Sequence, residues 1–219
     1  MREDFTRLNF GWWGYWVPGE ELGNSSIVTQ MKEVDADYYL QIGTQPDMLE
    51  YGSSRAASWD CPATLKANLE KYAAHPRTPD NLEVMRRWEI VRETNWLTEE
   101  QKLELHKQGQ EHILLINEDK ELELVPYQQI TPNKAGARAF AFERKGATWV
   151  VYWHTCGEAT LKLPVAAADI EVRKELYEDA IAIEGCECCA KLPISGRRYI
   201  KTSLSIEAIK AAFDKAELI

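Results

Sequence analysis

Apolar residues recur at helical spacing through the first half of the chain and alternate with polar ones through the second. In "QPDMLEYGSSRAASW", residues 45–59, Met48, Gly52, Arg55 and Trp59 share one helical face. Pro46 suits a first-turn position, and Asp47 and Glu50 suit the positive end of that helix. "TPDNLEVMRRWEIVRET", residues 78–94, predicts a second helix, with Thr78 as its cap, Pro79 opening it, and Val84, Met85, Trp88 and Val91 as one apolar stripe. "TEEQKLELHK" adds a short helix with a capping box from Thr98 to Gln101. Strands are expected at "TRLNFGWWGYW" and "CPATL", and a short helix at "IVTQMKEVDA".

From about residue 111 the period falls to two. "HILLI" is an apolar run, and "ELELVPY" alternates through Leu122 and Leu124. "RAFAFERKGATWVVYWH" predicts a hairpin with its turn at "RKGA"; Phe140 and Phe142 point inward, and Trp149, Val151 and Trp153 on the returning strand are expected to form core. "EATLKLPV", "DIEVRKEL", "AIAIEG", "CAKLPIS" and "RRYIKTS" supply further short strands, the spacing of a sandwich or small barrel. The chain closes on "SIEAIKAAFDKAEL", a helix capped by Ser205 that turns Ile206, Ile209 and Phe213 to the sheet. The expected division is therefore a helix-rich segment over 1–107 and an all-β domain with a C-terminal helix over 108–219.

Composition adds exclusions. The 219 residues carry a formal net charge of -9, and their short basic runs are interspersed with acids, so nucleic acid is not an expected partner. No run reaches membrane-spanning length, and "MREDFTRLNF" is too charged for a secretory leader. As written, a cytoplasmic chain without membrane contact is expected. Five cysteines without such a leader suggest reduced thiols. "CECC", residues 186–189, is tighter than the usual zinc pairs, and Cys188 and Cys189 would point to opposite faces of a strand. No metal and no cofactor are expected.

Nucleotide-binding, zincin and nucleophile-elbow motifs are missing from the sequence, and the four histidines lack ligand spacing. Carboxylates and aromatics remain. "NFGWWGYWVPGEE", residues 9–21, puts Trp12, Trp13, Tyr15 and Trp16 beside Glu20 and Glu21. Flat rings beside acids are what a sugar-binding cleft needs. On a strand, Trp13 and Tyr15 would face one side, and Trp12, Gly14 and Trp16 the other; either one set packs as core and the other borders a cleft, or all three tryptophans pack against neighbouring helices. Asp35, Asp37, Asp47, Glu50 and Asp60 are the other acids of this half that bear on such chemistry. Hydrolysis of a glycosidic bond needs two of them flanking it. Asp60, directly after Trp59, reads equally well as a turn residue.

The stretches "GWWGYW", "QPDMLEYGSSRAASWDCP", "HPRTPDNLEVMRRWEIVR" and "WVVYWHTCGEATLKLP" make the chain resemble, in layout, the C-terminal portion of a bacterial glycoside hydrolase. No motif assigns it to a particular family. The resemblance implies an α/β plus all-β fold: a partial (β/α)-barrel segment over 1–107, then a small antiparallel β-sandwich. A whole barrel needs eight units, so the resemblance also implies an incomplete barrel. Self-association or an N-terminal barrel portion would then cover its open side. The implied function is action on an oligosaccharide or polysaccharide, with little turnover by this chain alone. A non-catalytic carbohydrate-binding or protein-interaction module is the alternative. Trp13, Trp16 and Asp60 are nominated as cleft-lining residues, and no catalytic residue is assigned.

Overall fold

The computed structural model describes residues 44–62, 69–107, 109–131 and 136–219. They form a mixed helix-and-sheet chain with several antiparallel sheets and a C-terminal helix. It divides into two compact units, Met1–Leu114 and Leu115–Ile219, with the division at 114/115 against 107/108 expected from the sequence. The strand and helix predicted at residues 6–16 and 27–36 lie outside the described residues, as does most of "CPATL".

The first unit holds helices α1 (Pro46–Ser58), α2 (Leu69–Ala74), α3 (Thr78–Glu93) and α4 (Glu99–Leu105). Pro46 stands at the first position of α1 and Asp47 in its first turn, as the local rules require. The pattern groups Met48, Gly52, Arg55 and Trp59 on one face, yet all thirteen residues of α1 are buried, Asp47, Glu50 and Arg55 included. Buried charge needs partners. Glu50 Oε2 accepts from the indole Nε1 of Trp88 on α3 at 2.7 Å and from the Leu114 amide at 3.3 Å. Arg55 donates to the carbonyls of Lys107 and Gln110 at 3.0 and 2.8 Å, and its guanidinium lies 3.5 Å over the Tyr51 ring. These bonds tie α1 to α3 and to the chain leaving α4. On α3 the stripe of Val84, Met85, Trp88 and Val91 is buried as expected. Thr78 does not cap: it is already helical, and Arg77 holds the cap position without a side-chain bond. The capping box of α4 is present, with Gln101 N donating to Thr98 Oγ1 at 3.2 Å and Thr98 N to Gln101 Oε1 at 2.9 Å.

Strand β1 (His112–Ile116) pairs with β2 (Leu122–Pro126) in a two-stranded sheet. In the second unit, β3 (Gln128–Gln129), β4 (Ala137–Arg144), β5 (Ala147–His154), β7 (Ile170–Arg173) and β10 (Arg198–Thr202) form one antiparallel sheet in the order β3-β4-β5-β10-β7. β6 (Ala159–Leu163), β8 (Glu184–Gly185), β9 (Ala190–Ile194) and β11 (Glu217–Leu218) form another, in the order β11-β6-β9-β8. Lys145 and Gly146, with φ of 50° and 74°, make the two-residue turn predicted at "RKGA".

Both sheets and helix α5 (Ile206–Asp214) contribute to one hydrophobic cluster. It is lined by Ala139, Ala141, Val150 and Tyr152, by Leu161, Leu163 and Leu192, and by Ile209 and Phe213. The face predicted as core, with Phe140, Phe142, Trp149, Val151 and Trp153, is the other one. It too is buried, with Phe140 stacked between Tyr127 and Trp153. Alternation separates two faces without saying which one meets the second sheet, and a strand apolar on both sides is buried on both. Ser205 caps α5 as expected, accepting from the Ala208 amide at 3.2 Å. The helix stops at Asp214, short of the predicted end, because Glu217 and Leu218 join the sheet edge beside β6. Among the described residues no helix is long and apolar enough to cross a membrane.

Candidate functional site: a cleft at two helix ends

Helices α1 and α3 end in the same way. Past α1, Asp60 N donates to Ala57 O at 3.1 Å and Cys61 N to Ala56 O at 2.8 Å. Past α3, Asn95 N donates to Arg92 O at 3.1 Å and Trp96 N to Val91 O at 3.0 Å. Both are Schellman terminations, which place one residue in the left-handed region, usually glycine. Here that residue is Asp60, with φ of 54°, and Asn95, with φ of 47°. Asparagine is a common substitute for glycine there. Aspartate adds a negative charge at the negative end of a helix.

Both residues line an open cleft of about 480 Å³ in the first unit. Trp59, Arg92, Lys102 and His106 also line it. The Trp59 and His106 rings stack with centroids 3.9 Å apart and planes 9° from parallel. Arg92 reaches Asp60 at 3.3 Å and Glu89 at 3.0 Å, and these two carboxylates, Glu89 foremost, raise the guanidinium above its ordinary pKa. Lys102 Nζ donates to Asn95 Oδ1 at 3.1 Å and to Glu99 Oε1 at 2.7 Å. The cleft thus sets an exposed carboxylate, a guanidinium, an amide, an ammonium and a stacked pair of rings around one space. That set can hold a polyhydroxylated ligand by hydrogen bonds and ring contact.

Of the nominated residues, Asp60 lies in this cleft, while Trp13 and Trp16 lie outside the described residues, as do Glu20, Glu21, Asp35 and Asp37. Glu50 is a packing carboxylate between α1, α3 and β1. Sequence reasoning missed Arg92, Asn95, Lys102 and His106. A local signal for two of the lining residues is present: "SWDC" and "RETNW" each put a turn-forming polar residue directly after a helix.

The remaining histidines lie apart. His75 Nδ1 accepts from the Arg77 amide at 3.1 Å, His154 Nδ1 accepts from the Cys156 amide at 3.2 Å, and burial pushes His112 below its ordinary pKa. The three clustered cysteines differ from their expected geometry. Cys186–Cys189 is a turn between β8 and β9 and not a strand, closed by Cys186 N donating to Cys189 O at 2.7 Å. Cys186 Sγ lies 3.1 Å from Cys188 Sγ and 3.2 Å from Cys189 Sγ. Hydrogen bonds from Cys188 and then Cys189 lower the Cys186 thiol to about 7.

Comparison of the chain with protein-family models, with curated proteins and with solved structures returns no match.

Proposed function

We propose that the chain is the C-terminal segment of a glycoside hydrolase-like protein, and that the cleft between the ends of α1 and α3 binds part of its glycan. The carrying observation is Asp60. It is anionic at a helix C-terminus and left-handed at φ of 54°, two local disadvantages for aspartate that glycine or asparagine would lessen. Residues that break local rules concentrate where function requires them. An exposed carboxylate accepts bonds from two adjacent hydroxyls, and the neighbouring Arg92 and Asn95 add a donor and a mixed donor–acceptor. The antiparallel sheets around one core in the second unit support the sandwich half of that layout. In this reading residues 1–107 belong to a (β/α)-barrel, and this cleft positions substrate without cleaving it. Trp13 and Trp16 contribute ring surface to the same glycan in this reading.

The test is calorimetric titration of the chain with defined oligosaccharides of hexoses, pentoses and N-acetylhexosamines, run beside hydrolysis of the matching aryl glycosides. Saturable heat with one class, lost in Asp60→Ala, is expected, with negligible hydrolysis. Silence across all three classes would overturn the glycan reading. Robust turnover by the chain alone would overturn the claim that it positions without cleaving.

A further inference from the structure

We propose that the Cys186–Cys189 turn is a three-thiolate site for a thiophilic d10 cation. The reasoning begins with the hairpin. Cys186 and Cys189 face each other directly across it, one step beyond the Gly185–Ala190 pair, and cross-strand partners project to the same side. Cys188, in the two-residue connection, curls back to that side. All three sulfurs consequently lie within 4.8 Å of one another. A cation 2.3 Å from each sulfur in tetrahedral geometry needs them about 3.8 Å apart. The two separations from Cys186, 3.1 and 3.2 Å, are within about 0.7 Å of that value, and the third is no more than 4.8 Å.

The backbone of the turn is held from both sides. Cys186 O accepts from the Ala167 amide at 3.1 Å. A Cβ on Gly185 would lie 2.5 Å from Cys189 O and 2.7 Å from the Ala167 Cβ, so only glycine permits this approach. The sulfurs of Cys186 and Cys188 are exposed, which gives a cation a path in. Lys162 on β6 pairs with Glu217 at 3.0 Å. Thiolate sulfur selects soft cations over magnesium, calcium or manganese. Among the described residues no fourth His, Cys, Asp or Glu joins the group. Three-coordinate monovalent copper therefore fits directly, and zinc fits with one solvent ligand. Each ligating thiol gives its proton to solvent as the bond to the cation forms.

The test uses the full 219-residue chain, reduced and kept under nitrogen. Monovalent copper is titrated against a chromophoric copper chelator, and zinc separately against a chromophoric zinc chelator. Divalent cobalt serves as a third probe, because its charge-transfer absorption reports thiolate ligation. One equivalent of copper or zinc withdrawn per chain is expected, with a cobalt–thiolate band. Both should be lost in Cys186→Ser and in Cys188→Ser and kept in Cys156→Ser. Circular dichroism of the variants matching the parent chain establishes that the fold is intact. Failure of all three cations to bind, binding undiminished in Cys186→Ser, or a disulfide within residues 186–189 in protein prepared under nitrogen without reductant would overturn the proposal.

Discussion

Replacing Asp60 by glycine separates the two explanations of that residue. In a purely structural turn, glycine is the better occupant. An L-residue in the left-handed region costs about 1 kcal/mol at the lower end of the usual range, which suits aspartate. A negative charge at a helix C-terminus costs roughly 0.3–1 kcal/mol more. Against these stand the 3.3 Å pair with Arg92 and the greater freedom of glycine in the unfolded chain. The Asp60 side chain is 64% exposed, so solvent screening limits that pair to about 0–1 kcal/mol. Glycine entropy costs about 0.4–1 kcal/mol. The balance runs from Asp60→Gly roughly 0.7 kcal/mol less stable than the parent chain to roughly 1.6 kcal/mol more stable.

Binding responds differently. Removing a charged acceptor that touches ligand hydroxyls costs about 1.5–3 kcal/mol, or roughly 10- to 150-fold in affinity. Urea denaturation of Asp60→Gly should therefore give a midpoint close to the parent's or above it. Titration with the glycan identified for the parent should show the full loss. Asp60→Asn, which keeps the left-handed fit and removes the charge, should fall between them in affinity. An Asp60→Gly chain that binds as the parent does, or that loses more than about 2 kcal/mol of stability, would refute the assignment of Asp60 to ligand binding.

Three further outcomes follow from the packing. Trp88→Phe takes away the indole donor 2.7 Å from the buried Glu50 carboxylate and should cost about 2–3 kcal/mol, read as a lower denaturation midpoint. Gly146→Ala meets no neighbouring atom within 4 Å, so its cost is the backbone strain at φ of 74° alone, about 0.5–1 kcal/mol net, and Gly146→Asn should recover part of it. Glu83 is held at about 2, below its ordinary value of 4.5, chiefly by its hydrogen bond from Arg86 and then by Arg87. Its contribution to stability is present above the unfolded value and is lost as pH falls from 4.5 through about 2. Glu83→Gln should be less stable than the parent at neutral pH and converge with it below about pH 2, measured by denaturation midpoints across that window.

The elements that could be read from the sequence are those decided within a few residues. The capping box from Thr98 to Gln101, the proline start of α1, the turn at Lys145–Gly146 and the buried stripe from Val84 to Val91 depend on local backbone chemistry and short periodicities. The misreadings needed distant partners. Val84 and Trp88 show α3's buried side, but nothing near Glu50 in sequence shows that Trp88 Nε1 and Leu114 N will satisfy a carboxylate inside α1. Glu217 and Leu218 continue a helical pattern, and only the open edge of β6 draws them into a sheet. The face of β4 and β5 that meets the second sheet follows from what lies opposite, which Phe140 and Trp149 cannot announce.

The cleft and the thiol turn share a cause for having been hard to see. Each is built where an element ends, and at ends the periodicity that identifies faces stops applying. Asp60 read as a turn residue, which it is; its left-handed φ and its place opposite Arg92 come from the termination of α1 against the end of α3. A strand through Cys188 and Cys189 would put them on opposite faces, whereas the reversal between β8 and β9 brings their sulfurs and that of Cys186 to one side. The buried charges of Glu50 and Arg55 on α1 are answered by partners from α3 and the chain beyond α4, whereas Asp60 sets an exposed charge against a helix dipole. That contrast, and not the number of polar groups lining the cleft, is why the exposed Asp60 carries the functional argument and the buried pair of Glu50 and Trp88 does not.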